Sequence, residues 1–332
     1  ERNIMLRAMD SAVAGLRSHQ NKMDVVGHNI ANVNTFGFKA QTYTFKEAMY
    51  QTSTSSTNGT KESGGVNASQ YGYGTLMGSI GMDMTASTPS YVGGFNASID
   101  GEGFFITKAS KSTVTNNSTA IKKAEFQLSR VGQFLLDNNG YVVDANGNFV
   151  YGFRWLKDAE TTGTGANAVT TPMKFETDLK PLRVPLVSDQ GVPKISDDEG
   201  EDKASQSVTV QINNAGVITA SVKYKKADGT MDKKVVTLGE VGIATFQNPN
   251  GVTKAGGNYY TVNDSDNSGL AVAAAPGQAG TSTLMGGFLE ASNVDLAKEF
   301  ADMITTHRGF QANSKMITVS DEMLSDLVAM KR

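Results

Sequence analysis

What most constrains the fold of this chain is a seven-residue spacing of apolar side chains at each of its two ends. Near the N-terminus Met9, Leu16, Met23 and Ile30 recur every seventh residue, with Leu6, Val13, Gln20 and Gly27 as a partly polar companion row. Near the C-terminus Leu296, Met303, Phe310, Ile317 and Leu324 repeat the arrangement against Phe300, His307, Ser314, Asp321 and Val328. A 3-4 alternation sustained over several heptads lays one stripe along a helix, so helices are predicted over about residues 5–32 and 293–330. Ser292 followed by Asp295 has the form of a capping box, and Lys331 and Arg332 stand where a helix C-terminus favours positive charge.

Between the ends the period changes to two. Val208, Val210 and Ile212 alternate, Asn213 to Gly216 can turn, and Ile218, Ala220, Val222 and Tyr224 alternate again before Asp228 and Gly229. Phe134 to Asp137 and Tyr141 to Val143 flank Asn138, Asn139 and Gly140 as a second hairpin signal. The stretches 51–70 and 157–205 are polar, the second carrying Pro172, Pro181, Pro185 and Pro193, and read as loops. The expected fold is therefore mixed. N- and C-terminal α-helices pair as a coiled-coil-like stem, and the central domain is β-rich and antiparallel. Residues 1–39 with 286–332 are expected to form the stem and 40–90 an extended connector; 91–285 are expected to form the β-rich outer domain, with 151–205 an irregular excursion or small subdomain. The two seams either close on each other within a monomer or, because a two-helix seam buries little, seek further copies.

Composition narrows the function by exclusion. A net charge of −3 without a long basic run disfavours nucleic acid or an anionic membrane as partner. No apolar run approaches the ~20 residues that span a bilayer, and residues 1–10 lack a secretory apolar core. There is no cysteine, so thiolate metal sites and disulfides are excluded. The three histidines, His19, His28 and His307, fall on the predicted helices without metal spacing, and neither a nucleophile elbow nor a phosphate loop occurs. Gly72, Gly74, Gly78 and Gly81 miss the dinucleotide fingerprint and are assigned to turns. Asp264, Asp266, Ser268 and Gly269 match half a calcium loop, but Ala275 replaces the terminal Glu, which favours an Asx-rich turn. The expectation is no enzyme, no cofactor, no catalytic residue and no metal.

The stretch from Met23 to Lys39, with Asn32, Asn34, Thr35, Gly37 and Phe38, closely resembles the N-terminal motif of bacterial flagellar axial proteins, the rod and hook family. Gly287 to Leu296, including Ser292, Asn293 and Asp295, then Glu299-Phe300, Phe310 to Lys315 and Asp321 to Leu324, are similar to that family's terminal helix. Asp100 to Phe105, Ser129 to Phe134 and Phe246 to Gly251 are similar to its β-rich domain. Gly15 to Gln20 and Gly64 to Asn67 with Gln70 and Gly72 look more like hook members than the shorter distal rod members. His307 departs from the Gln usual in relatives, and the segments near 51–63, 110–124 and 157–178 look longer than in a minimal member.

The resemblance implies a structural subunit of the hook, self-assembling into a curved, flexible helical tube that transmits motor torque, with a distal rod subunit as the alternative. It implies export through the type III apparatus without a cleaved signal, an extracellular place in the flagellum, and the hook cap, distal rod and hook-filament junction proteins as partners besides further copies of the chain. Nucleic acid and membrane insertion are not expected. Met9, Leu16, Met23, Ile30, Leu296, Met303, Phe310, Ile317 and Leu324 are then the expected assembly surface, and Gln20, His307, Ser314 and Asp321 the expected register residues. A carbohydrate-binding or hydrolytic β-domain on helical anchors is the rival, motivated by the Asp- and Asn-rich turns.

Overall fold

The computed structural model describes residues 2–59, 64–157, 160–162, 169–171, 174–184, 186–187, 193–194, 209–225, 230–263 and 265–330. The chain divides into two compact units. One joins Glu1–Val33, Lys39–Asp83 and Val294–Arg332; the other joins Asn34–Phe38 and Met84–Asn293.

The first unit is built on two long helices, Arg2–Ala31 and Leu296–Met330. They run antiparallel, since Gly15 faces Asn313 while Asn29 faces Glu299. Two nested strand pairs belong to the same unit: Gln41–Glu47 with Thr75–Met82, and Tyr50–Thr54 with Ser69–Gly72. Within the segment 40–90 expected as a connector, these strands form a paired ribbon in contact with the N-terminal helix, where Ser18 Oγ donates to the Thr75 carbonyl (3.1 Å). Of the glycines assigned to turns, Gly72, Gly78 and Gly81 lie inside strands. Gly74, at φ +92°, takes the left-handed backbone expected of a turn. Gly78 has a packing reason instead: it is the extra residue of a bulge opposite Thr44 and Phe45, and a Cβ there would stand 2.9 Å from Thr44 Oγ1.

The C-terminal helix starts one residue after Asp295, whose Oδ1 accepts from the amides of Ala297 (2.9 Å) and Lys298 (3.3 Å). Asp295 is thus the cap itself, and the box expected from Ser292 does not form there. The helix begins three residues too late for Ser292 to reach its free amides. Lys331 and Arg332 lie outside the described residues.

The second unit is an antiparallel β structure. Its main sheet runs, in spatial order, Thr209–Ile212, Val217–Lys225, Met231–Val241, Phe149–Lys157, Phe104–Lys108, Gln127–Ser129, Tyr259–Thr261 and Thr253–Gly256. Both hairpins read from the sequence are present. Gly216 (φ +75°) closes the first, with Asn213 Oδ1 accepting from the Val217 amide, and Gly140 (φ +77°) closes the second. Alternation along these strands buries Phe105, Val142, Val150, Leu182, Ile218, Val222 and Ile243 in one core. Part of the segment 151–205 joins this sheet, because Lys174–Phe175 and Lys180–Pro181 pair with Phe149–Lys157 and Leu179 is fully buried. Asp264 and the Asp228-Gly229 turn lie outside the described residues; Asp266 Oδ2 accepts from the Asn263 amide (2.9 Å) in a local turn.

A buried ion pair ties the second unit together. Arg130 donates through Nε and Nη2 to both Glu290 oxygens (2.8 and 2.9 Å) and through Nη1 to the carbonyls of Gly101 and Gly103. Nearly every polar atom of the pair is satisfied, the condition under which burial of charge is tolerated.

Candidate assembly surface

The antiparallel helix pair of the first unit is the candidate site. Ala12, Gly15, Ser18, Val25, Val26 and Asn29 are buried on one helix, and Thr306 and Ser320 on the other. A Cβ on Gly15 would stand 2.9 Å from Asn313 Nδ2, and one on Gly309 would stand 2.6 Å from the His19 ring. Both glycines therefore permit a close approach of the helices. Lys22 Nζ pairs with Asp302 at 2.9 Å, and Asn29 links three elements: it exchanges hydrogen bonds with the Gln41 backbone (2.8 and 2.9 Å) and donates to Glu299 Oε1 (3.1 Å). Burial raises the pKa of Glu299 against the opposing hydrogen bond from Asn29. His19 also rests against Phe45, with ring centroids 5.2 Å apart, and its pKa is lowered by burial and by Lys22.

The heptad rows fall beside this seam rather than on its centre. Met303, Phe310, Ile317 and Leu324 are half-buried within the pair. Their companion row lies one position earlier than the spacing suggested, at Glu299, Thr306, Asn313, Ser320 and Leu327. Met9, Leu16, Met23 and Ile30 are likewise half-buried flanks, while Leu296 is exposed. The register candidates Gln20, His307, Ser314 and Asp321 are all exposed, and so are Phe300 and Val328. The N-terminal helix also packs on the ribbon strands Gln41–Glu47 and Thr75–Met82. Period seven alone gives a stripe and not which edge of it turns inward.

Several apolar side chains are left in solvent on different faces of the C-terminal helix. Ile304 is 62% exposed and Val328 68%, with Phe300, Met316 and Met323 also exposed.

The family motif residues are held locally. Asn32 Nδ2 donates to the His28 carbonyl (2.9 Å) beyond the end of the first helix. In the second unit the Thr35 carbonyl accepts from the Phe38 amide, and Gly37, at φ +67°, donates its amide to the Glu290 carbonyl (2.8 Å). Phe38 is buried with Lys254 Nζ 4.5 Å from its ring centroid, while Asn34 is exposed. The Ser292 carbonyl accepts from Ser87 Oγ, and Asn293 Nδ2 donates to the Thr85 carbonyl (3.4 Å). Among the described residues no cluster of His, Asp or Glu could hold a metal ion, and no helix is long and apolar enough to cross a membrane.

Comparison with known proteins bears directly on this surface. Residues 285–330 match the family described as flagellar basal body rod FlgEFG protein C-terminal, and residues 9–39 match flagella basal body rod protein. Over 99% of its length the chain is 36% identical to the whole of the flagellar basal-body rod protein FlgG of Bacillus subtilis (strain 168). It belongs to the flagellar rod and hook family. It is also 26% identical to the flagellar hook protein FlgE of Borreliella burgdorferi, over 98% of this chain and all of that one. A segment covering 39% of this chain and 22% of the hook protein FlgE of Caulobacter vibrioides is 39% identical. Members of the rod and hook family are structural proteins that polymerise, and they lie in the flagellar basal body and hook. The two matched family regions contain most of the N-terminal helix and all of Leu296–Met330.

Sequence reasoning missed Gly15, Lys22, Asn29, Glu299, Asp302 and Gly309 as seam residues. A signal was present: aligned antiparallel, Gly15 meets Asn313 and Gly309 meets His19, small against large. It also missed Arg130 and Glu290, because a residue separation of 160 carries no periodic trace.

Proposed function

We propose that this chain is a structural subunit of the flagellar hook, polymerising into a curved helical tube, and that it is not an enzyme. The observation that carries the reading is the set of exposed apolar side chains Phe300, Ile304, Met316, Met323 and Val328, spread around one helix, in a family whose members polymerise. Burying a side chain of this size contributes roughly 1.5–3 kcal/mol, which a second copy can supply and this chain alone does not. A patch that meets a different patch on the next copy builds an open helix.

In this reading residues 1–39 with 286–332 make the inner wall of the tube and 91–285 its outer wall. The apolar rows Met9 to Ile30 and Leu296 to Leu324 pack between copies, and the exposed Gln20, His307, Ser314 and Asp321 set register. Type III export, and contacts with cap, distal rod and junction proteins, belong to the same reading. Hook identity rests on Gly15 to Gln20 and on the 39% identity to a hook protein. A rod subunit is the second reading, favoured by the full-length match at 36% identity to a basal-body rod protein.

Negative-stain electron microscopy of the full chain, beside a version lacking residues 1–39 and 286–332, tests both. Curved tubes from the full chain alone are expected for the hook. Straight shafts would select the rod reading, and a chain that never elongates on seeds would count against both.

A further inference from the structure

The β unit contains a half-open cavity of about 740 Å³ walled by Phe153 and Phe175, with the exposed Leu270 and Val272 at its rim. Two carboxylates line it. Glu240 is 9% exposed, and no charge or hydrogen-bond partner for it is found among the described residues. A bulge at Leu238 turns the strand so that Glu240 comes level with Phe153, on the face away from the main core. Burial raises its pKa. Glu176 gives one oxygen to Lys180 Nζ (3.1 Å); its other oxygen, Oε2, is buried without a partner. The cavity therefore offers Glu240 and the second oxygen of Glu176 to a cation carried on an apolar stem.

That chemistry is displayed at the other end of the same strand. Lys233 stands directly opposite Lys223, and period two puts Met231 and Val235 on either side of it, 62% and 68% exposed. Like charges opposite each other on a sheet repel, and an acidic group brought between them relieves the repulsion. From Lys233 to Glu240 is seven residues of strand, about 23 Å at ~3.3 Å each, so the lysine cannot fold back onto its own cavity.

We propose that the cavity holding Glu240 and Glu176 receives the Lys233 end of the strand Met231–Val241 from a second copy of this chain. The contact is heterologous and head-to-tail, the type that extends a polymer. It deepens the polymer reading above and rests on it.

Charge reversal in the full-length protein tests the pairing. Lys233→Glu and Glu240→Lys are each expected to raise the critical concentration for assembly, on the order of tenfold, and the double reversal to recover most of it. Circular dichroism melts of each variant separate lost contact from lost folding. Because the chain has no cysteine, a second readout is clean: mixed Met231→Cys and Leu270→Cys chains should form a disulfide heterodimer, whereas Val66→Cys with Leu270→Cys should not. Tubes that form normally in both single reversals, with no specific cross-link, would overturn the contact and leave the polymer reading standing. A specific cross-link from chains that never form tubes would keep the contact and remove the polymer reading. Loss on Glu240→Lys that Lys233→Glu neither shares nor rescues would assign the cavity to another cation and overturn the pairing.

Discussion

The two units solve opposite problems. The β unit closes on itself: Phe105, Val142, Val150, Tyr151 and Ile243 have no exposed surface, and its deepest charges, Arg130 and Glu290, satisfy each other. The helical unit does not close. Its buried side chains are few, Ala12, Ser18, Val25, Val26, Asn29, Thr306 and Ser320 among them, its long apolar rows are only half-buried, and Ile304 and Met330 face water. A helix pair whose apolar rows stay half-buried fixes which faces meet while leaving apolar surface for further burial. The difference teaches that the β unit is a finished domain, whereas the helices are prepared for neighbours.

The sharpest way to break this comparison is to damage one unit and watch the other. Glu290→Gln leaves the Arg130 guanidinium buried without its counter-charge and is expected to cost the β unit about 3–5 kcal/mol. Its urea midpoint, followed by the fluorescence of Trp155, the chain's one tryptophan, should fall while helical ellipticity is retained. Coincident loss of both signals would show that the units are not independent.

Leu324→Asp is the reverse experiment. A carboxylate in the half-buried row should weaken packing by roughly 2–3 kcal/mol per subunit and stop tube growth, with the β unit's melt unchanged. Normal tubes from this variant would return the row to a purely surface role.

Gly309→Ala sharpens the description of the seam. The added methyl meets the His19 ring, a side chain able to shift, so the expected loss is only about 1 kcal/mol in helix melting. A stabilised helix would mean that the close approach at this point is dispensable.

The smallest effect concerns pH. His19 has its pKa lowered in the folded state by burial and Lys22. Its unfolded form binds protons first, so the contribution to stability is full above about 6.5 and declines as pH falls from there toward the folded value. Ellipticity of the helices at 222 nm, titrated from pH 8 to 5, should show a decline that His19→Gln removes; an unchanged slope in that variant would place the proton elsewhere.

The sequence by itself determined the two helices, the β-rich middle and both hairpins, since each is written in local periodicity and turn chemistry. It also carried the family, through the motifs around Asn32 to Phe38 and Ser292 to Asp295. Tertiary structure alone decided which edge of the C-terminal stripe turned inward and that the N-terminal helix also packs on the strands Gln41–Glu47 and Thr75–Met82, because no seven-residue count records its partners. It also decided the meeting of Arg130 with Glu290, the placing of Gly15 against Asn313, and the turning of Glu240 into a cavity by one bulge. Each of these joins residues far apart in sequence or shifts a strand by a single position. Local preference is blind to the first and averages over the second.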